Sequence, residues 1–95
     1  MIIPDTVNIG RFTYTVDFVE VVNREKPERI GQIDYVKQEI RIDESLTDEQ
    51  KVSVFFHEVL HAIDQMMCID LEEKQIVQLE RGLYMVLKEN DLLKE

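Results

Sequence analysis

The two histidines of the chain stand four residues apart, in the run His57-Glu58-Val59-Leu60-His61. On an α-helix a four-residue step brings side chains to one face about one turn apart, so both imidazoles can converge on one cation. This is the HExxH spacing suited to a tetrahedral Zn2+. Glu58, the next residue after His57, falls within reach of a water at that cation and is the candidate general base. The competing explanation is coincidence on a charged helix. Two features weigh against coincidence: the chain spends both of its histidines here, and the run lies inside a strongly periodic helical segment.

A zinc site of this type needs a third protein ligand and leaves one position open. With no histidine left, a carboxylate from a following helix is the economical choice, and Glu72, Glu73 and Glu80 are the candidates. Glu73 and Glu80 are seven residues apart and share a helix face. Glu73 is also explained without a metal, as the capping-box partner of Asp70, so spacing alone leaves Glu73 and Glu80 open. Asp64, three residues past His61, reads as a carboxylate that orients a ligand histidine from outside the metal's shell. Cys68, seven residues past His61, is a further thiol near the site. Tyr35 and Tyr84 carry hydroxyls able to stabilise an oxyanion, and each is equally explained as an aromatic at the edge of the core.

Positioning these groups falls to a strand-rich first half and two helices. From Val7 to Val22, β-branched and aromatic residues alternate with polar ones, which predicts a strand in one or two segments broken near Gly10. Asn23 to Arg29 holds Pro27 among charges and reads as a loop. Gly31–Tyr35 and Glu39–Asp43 read as a hairpin in which Ile33 and Tyr35 face Ile40 and Ile42. Thr47 with Gln50 forms a capping box that opens the first helix. Val52, Phe55, Phe56, Val59, Leu60, Ile63, Met66 and Met67 give that helix an apolar face, and it ends near Cys68. Asp70 with Glu73 signals the second helix, with Ile76, Leu79, Leu83, Val86 and Leu87 on its inner face and Asn90 as its stop. The expectation is one α+β domain over residues 1–95, with a small, mainly antiparallel sheet of about three strands packed on two helices.

Composition narrows the partners. Twenty acidic residues against eleven basic ones give a formal charge of -9, which repels phosphate backbones and anionic lipid heads. No basic stripe interleaved with aromatics stands against that balance, so neither nucleic acid nor membrane is an expected partner. One cysteine allows no internal disulfide, and no leader or long apolar run is evident, which points to the cytoplasm. A chain with 44% apolar residues and this length closes one modest core, so a bound metal would also support the fold.

His57-Glu58-Val59-Leu60-His61-Ala62-Ile63, followed by Leu71-Glu72-Glu73, Ile76, Leu79 and Gly82-Leu83-Tyr84, resembles the small phage and prophage members of the ImmA/IrrE-type metallopeptidases. Gly31-Gln32-Ile33-Asp34-Tyr35 and Ile40-Arg41-Ile42-Asp43 are similar too, so the resemblance spans most of the chain. It implies a zincin-like helix pair under a twisted sheet, with Zn2+ on His57, His61 and a glutamate early in the second helix. In larger members that glutamate opens an ExxAxxFA segment, which falls here on Glu73, Ile76, Leu79 and Glu80, and this selects Glu73. Ile76 and Glu80 depart from the alanines common at those positions. Family members of this kind cut repressor or regulator proteins.

The leading expectation is a zinc peptidase acting on a peptide or protein substrate that pairs along an open edge at Glu39–Asp43. The alternative is a zinc-binding interaction module with little turnover, marked by a closed site in which Glu80 or Cys68 supplies a fourth ligand.

Overall fold

The computed structural model describes residues 1–94. Its elements are β1 (Thr6–Ile9), β2 (Phe12–Val19), β3 (Gly31–Asp34), β4 (Glu39–Asp43), α1 (Asp48–Met67) and α2 (Glu73–Glu89). The α+β class is as expected, with four strands rather than three, in the order β1-β2-β4-β3. The extra strand arises where Gly10, at φ 62°, turns the chain so that Val7 pairs with Tyr14. A Cβ there would also overlap the Met66 sulfur.

The sheet is mixed. β1 and β2 are antiparallel, β3 and β4 are antiparallel, and β2 runs parallel to β4 with Val16 opposite Ile40 and Phe18 opposite Ile42. In the second hairpin Ile33 faces Ile40 as expected, but Gly31 faces Ile42 and Tyr35 lies in the turn. Asp34 bends the chain there by accepting the N–H groups of Val36 and Lys37, at 3.0 and 2.9 Å.

This order corrects one expectation about the site. β4 is paired on both sides, so Glu39–Asp43 offers no open edge; the edge beside the helices is β3. The N–H of Asp43 donates to the carbonyl of Ile30 at 2.9 Å. Antiparallel alternation therefore leaves Gly31 and Ile33 to direct their N–H and C=O groups away from the sheet.

The core lies between the sheet and α1. Ile9, Tyr14, Val16, Ile40 and Ile42 meet Val52, Phe55, Phe56 and Ala62, with Ile40 and Ile42 fully buried. Thr47 and Gln50 exchange the expected reciprocal capping bonds, at 3.0 and 3.2 Å. α1 ends at Cys68 in the left-handed conformation and α2 at Asn90, both where the sequence places them.

α2 departs from expectation at its start and along its face. Its N-cap is Glu72, whose N–H donates to Gln75 Oε1 at 2.8 Å, not Asp70. Cys68 and Asp70 both take positive φ, and the Leu71 N–H donates to Asp64 Oδ1 at 3.0 Å, so the chain is still turning when it passes Asp70. Glu73 thus becomes the first helical residue and has no capping duty. α2 packs on α1 alone, through Ile76, Glu80, Tyr84 and Leu87, while Leu79, Leu83 and Val86 remain exposed. No helix of the described residues is long and apolar enough to cross a membrane.

At Gly31 the sheet lies close against α1. A Cβ at that position would overlap Val54 Cγ1 and lie 3.0 Å from Glu58 Oε2. Gly31→Ala is expected to cost about 1–3 kcal/mol, as overpacking does. Gly82→Ala, on α2 with nothing within 4 Å of the new methyl, is expected to gain about 0.5–1 kcal/mol from helix propensity. Urea unfolding of the two variants measures the contrast, and equal stabilities would refute the close approach at Gly31.

Candidate metal centre

α1 carries its polar groups on two flanks. His57 and His61 turn toward α2, whereas Glu58, rotated by about 100°, turns toward β3. The ring nitrogens His57 Nε2 and His61 Nε2 are 3.2 Å apart. Glu73, the first residue of α2, reaches both: Oε1 lies 2.8 Å from His57 Nε2 and Oε2 lies 2.9 Å from His61 Nε2.

These separations suit a metal. A tetrahedral ion with bonds of about 2.05 Å sets its ligands about 3.3 Å apart, close to the spacing of the two imidazoles. Among the described residues, His57, His61 and Glu73 form the one group whose donor atoms come together in this way. The Glu73 side chain is 62% exposed, so no packing requirement explains its position over the two rings.

Glu80 occupies a different place. It is 13% exposed, with Oε1 3.0 Å from His57 Nδ1 and Oε2 in a short hydrogen bond from the Ser53 hydroxyl. A carboxylate on Nδ1 fixes the ring and favours the tautomer with its proton on Nδ1, which leaves the Nε2 lone pair free to bind a cation. Sequence spacing raised Glu80 as a rival ligand; the structure places it behind His57. Ser53, four residues before His57 on the same face, was missed, although that spacing was a usable signal.

Other expectations resolve differently. Asp64 contacts neither histidine through its carboxylate; it holds the Leu71 N–H and so shapes the turn that delivers Glu73. Cys68 is exposed at the end of α1, and Glu72 caps α2. Tyr84 packs against Phe56 and lines a hollow on another face with Met1 and Phe18. Tyr35 does line the cleft, but its hydroxyl donates to the His61 carbonyl at 3.1 Å. Burial, reinforced by Glu58, raises the Tyr35 pKa, so this hydroxyl stays a donor.

Among the described residues, Glu58 is the one buried charged residue, at 6% exposure. Burial pushes its pKa from the ordinary 4.5 up to about 7. His57 and Arg29 pull it down, while Glu73 and Glu80 add to the rise. The result is a carboxyl poised near neutrality at the floor of an open cleft of ≈ 570 Å³, where Arg29, Gln32 and Tyr35 form the rim. Arg29 carried no local sequence signal, because it reaches the cleft from an irregular loop.

No family model, curated protein or solved structure matches the chain.

The raised pKa of Glu58 has a defined effect on stability. Folding favours its protonated form, so its contribution is fully present below the unfolded value near 4.5 and is lost as pH rises through about 7. The difference is on the order of 3 kcal/mol. In chelator-treated protein, the melting temperature is expected to fall from pH 5 to pH 8 more steeply for the native chain than for Glu58→Gln. Parallel profiles would mean that the carboxylate is already ionised at pH 5.

Proposed function

We propose that the chain is a zinc-dependent peptidase in which His57, His61 and Glu73 hold the metal and Glu58 is the general base. The observation that carries this reading is the convergence of three donor atoms beside a buried carboxyl whose pKa lies near neutrality. The resemblance of the motif residues to ImmA/IrrE-type metallopeptidases supports it.

When bound, zinc supplies Lewis acidity, polarising a peptide carbonyl and making water a stronger acid. The protein's own groups do the rest. Glu80 and Ser53 hold His57 in one orientation and tautomer. Glu58, buried beside the cluster, accepts the proton of the attacking water and returns it to the departing amine. Gly31 and Ile33 offer main-chain donors and acceptors along β3, so an extended peptide can add to that edge and lie across the cleft. Gly31, with no side chain, lets the peptide backbone come close to Glu58.

The alternative of a closed zinc site in an interaction module needs a fourth protein donor. Both candidates are otherwise placed, Glu80 against His57 and Ser53 and Cys68 at the exposed end of α1. An open fourth position favours the enzyme. The reading sets the reaction in the cytoplasm, where Cys68 stays a free thiol.

Purified protein is expected to take up close to one zinc per chain. Glu73→Gln is expected to weaken zinc binding on the order of 100-fold or more, and Glu80→Gln roughly 10–100-fold, the usual effect of losing a partner behind a ligand histidine. His61→Ala is expected to abolish zinc binding. Glu58→Gln is expected to retain the metal and lose hydrolysis of an unstructured peptide. Competition titration with a zinc chelator measures these affinities. Release of zinc by Glu58→Gln, or tighter dependence on Glu80 than on Glu73, would contradict the assignment.

A further inference from the structure

A second hollow, of ≈ 430 Å³, adjoins the cluster on the side of the N-terminal half of α1. It shares Gly31, His57, Glu58 and Glu73 with the cleft that contains His61, so the two form one trough crossing the cluster. The two arms differ in chemistry. The His61 arm has Arg29, Gln32 and Tyr35 on its rim, whereas the other arm carries Ile30, Leu46, Val54 and Val77 as its apolar side, with Gln50 and Arg81 among its polar lining.

Those four side chains come from four separate places: the residue before β3, the turn before α1, α1 itself and α2. Ile30 is 47% exposed and Leu46 and Val77 are half-buried, so the wall is apolar surface left open to solvent. Val77 lies four residues past Glu73 and thus one turn along α2 from the proposed metal ligand. Three carboxylates also line the hollow: Glu58 and Glu73, shared with the His61 arm, and Glu80, which is engaged by Ser53 and His57. Arg81 stands on its lining as the one cationic group.

We propose that this hollow is a substrate side-chain subsite that takes an apolar residue of leucine, isoleucine, methionine or phenylalanine type, adjoining the bond held at the cluster. The proposal rests on the metal-site reading above. An extended peptide on the β3 edge alternates its side chains, so one residue beside the cluster turns into the trough while its neighbours turn out. The branched walls of Val54 and Val77 have few rotamers, which makes the hollow a shaped receptor and not a fluid patch. Val77, Leu46 and Ile30 are its specificity-determining residues.

The test compares N-acetyl-leucine hydroxamate with N-acetyl-glycine hydroxamate, binding to the zinc-loaded protein, by isothermal titration calorimetry. The hydroxamate group is common to both probes, so their affinity ratio reports the side chain alone. Burial of a leucine side chain is expected to favour the first probe about tenfold or more. Val77→Phe, which fills the hollow from α2, is expected to bring the ratio within about twofold while leaving zinc content and N-acetyl-glycine hydroxamate affinity unchanged. Leu46→Ala, which removes wall from the opposite side, is expected to reduce the leucine advantage several-fold, and it decides the matter if Val77→Phe does not fold. Equal affinities in the native zinc-loaded protein, or a ratio untouched by both variants, would overturn the subsite while leaving the metal site standing. Failure to take up zinc or bind either probe would overturn the metal-site reading and the subsite with it.

Discussion

The arrangement depends on one buried polar tie between the two helices. Glu80 sits almost out of solvent with both oxygens engaged, one by Ser53 and one by His57. Satisfied in this way the carboxylate is tolerated inside the interface; unpaired it would carry a desolvation cost that apolar packing could not offset. The register of α2 on α1 that brings Glu80 to both partners also places Glu73, two turns earlier, against the paired imidazoles. A helix pair held by aliphatic contacts alone would slide more freely, and α2 has little other support because it touches α1 and not the sheet.

α1 is thereby divided between two tasks. Its α2 flank presents the two Nε2 atoms, and its sheet flank buries Val52, Phe55 and Ala62. Glu58 falls at the seam under β3, where the absence of a side chain at Gly31 lets the strand come close against Val54 and Glu58. The same burial that anchors the helix desolvates Glu58 and raises its pKa, so packing and proton affinity have a common cause. A solvated glutamate at this position would be a weaker base.

Much of this was legible in the chain. The four-residue histidine spacing, the Thr47–Gln50 cap and the stops at Cys68 and Asn90 are local signals, and local signals survive folding. What misled was non-local. Asp70 followed by Glu73 satisfies the pattern of a capping box, but Asp64 claims the Leu71 N–H and the helix starts later. Leu79, Leu83 and Val86 mark an apolar stripe, yet they stay exposed while Ile76, Glu80, Tyr84 and Leu87 face α1. The parallel pairing of β2 with β4, which moves the open edge from Glu39–Asp43 to Gly31–Asp34, has no sequence signature of its own. Glu73 was selected by resemblance, and the geometry supplies an independent reason for it.

The central claim is that the metal sits between α1 and the first turn of α2, with Glu80 behind His57. A crystal structure of the zinc-loaded protein, with the ion located by anomalous scattering, tests it most directly. The account predicts zinc about 2.0–2.2 Å from His57 Nε2, His61 Nε2 and one Glu73 oxygen, with Glu80 still on His57 Nδ1. Zinc bonded to Glu80 with Glu73 turned to solvent, or zinc held away from the two histidines, would contradict it.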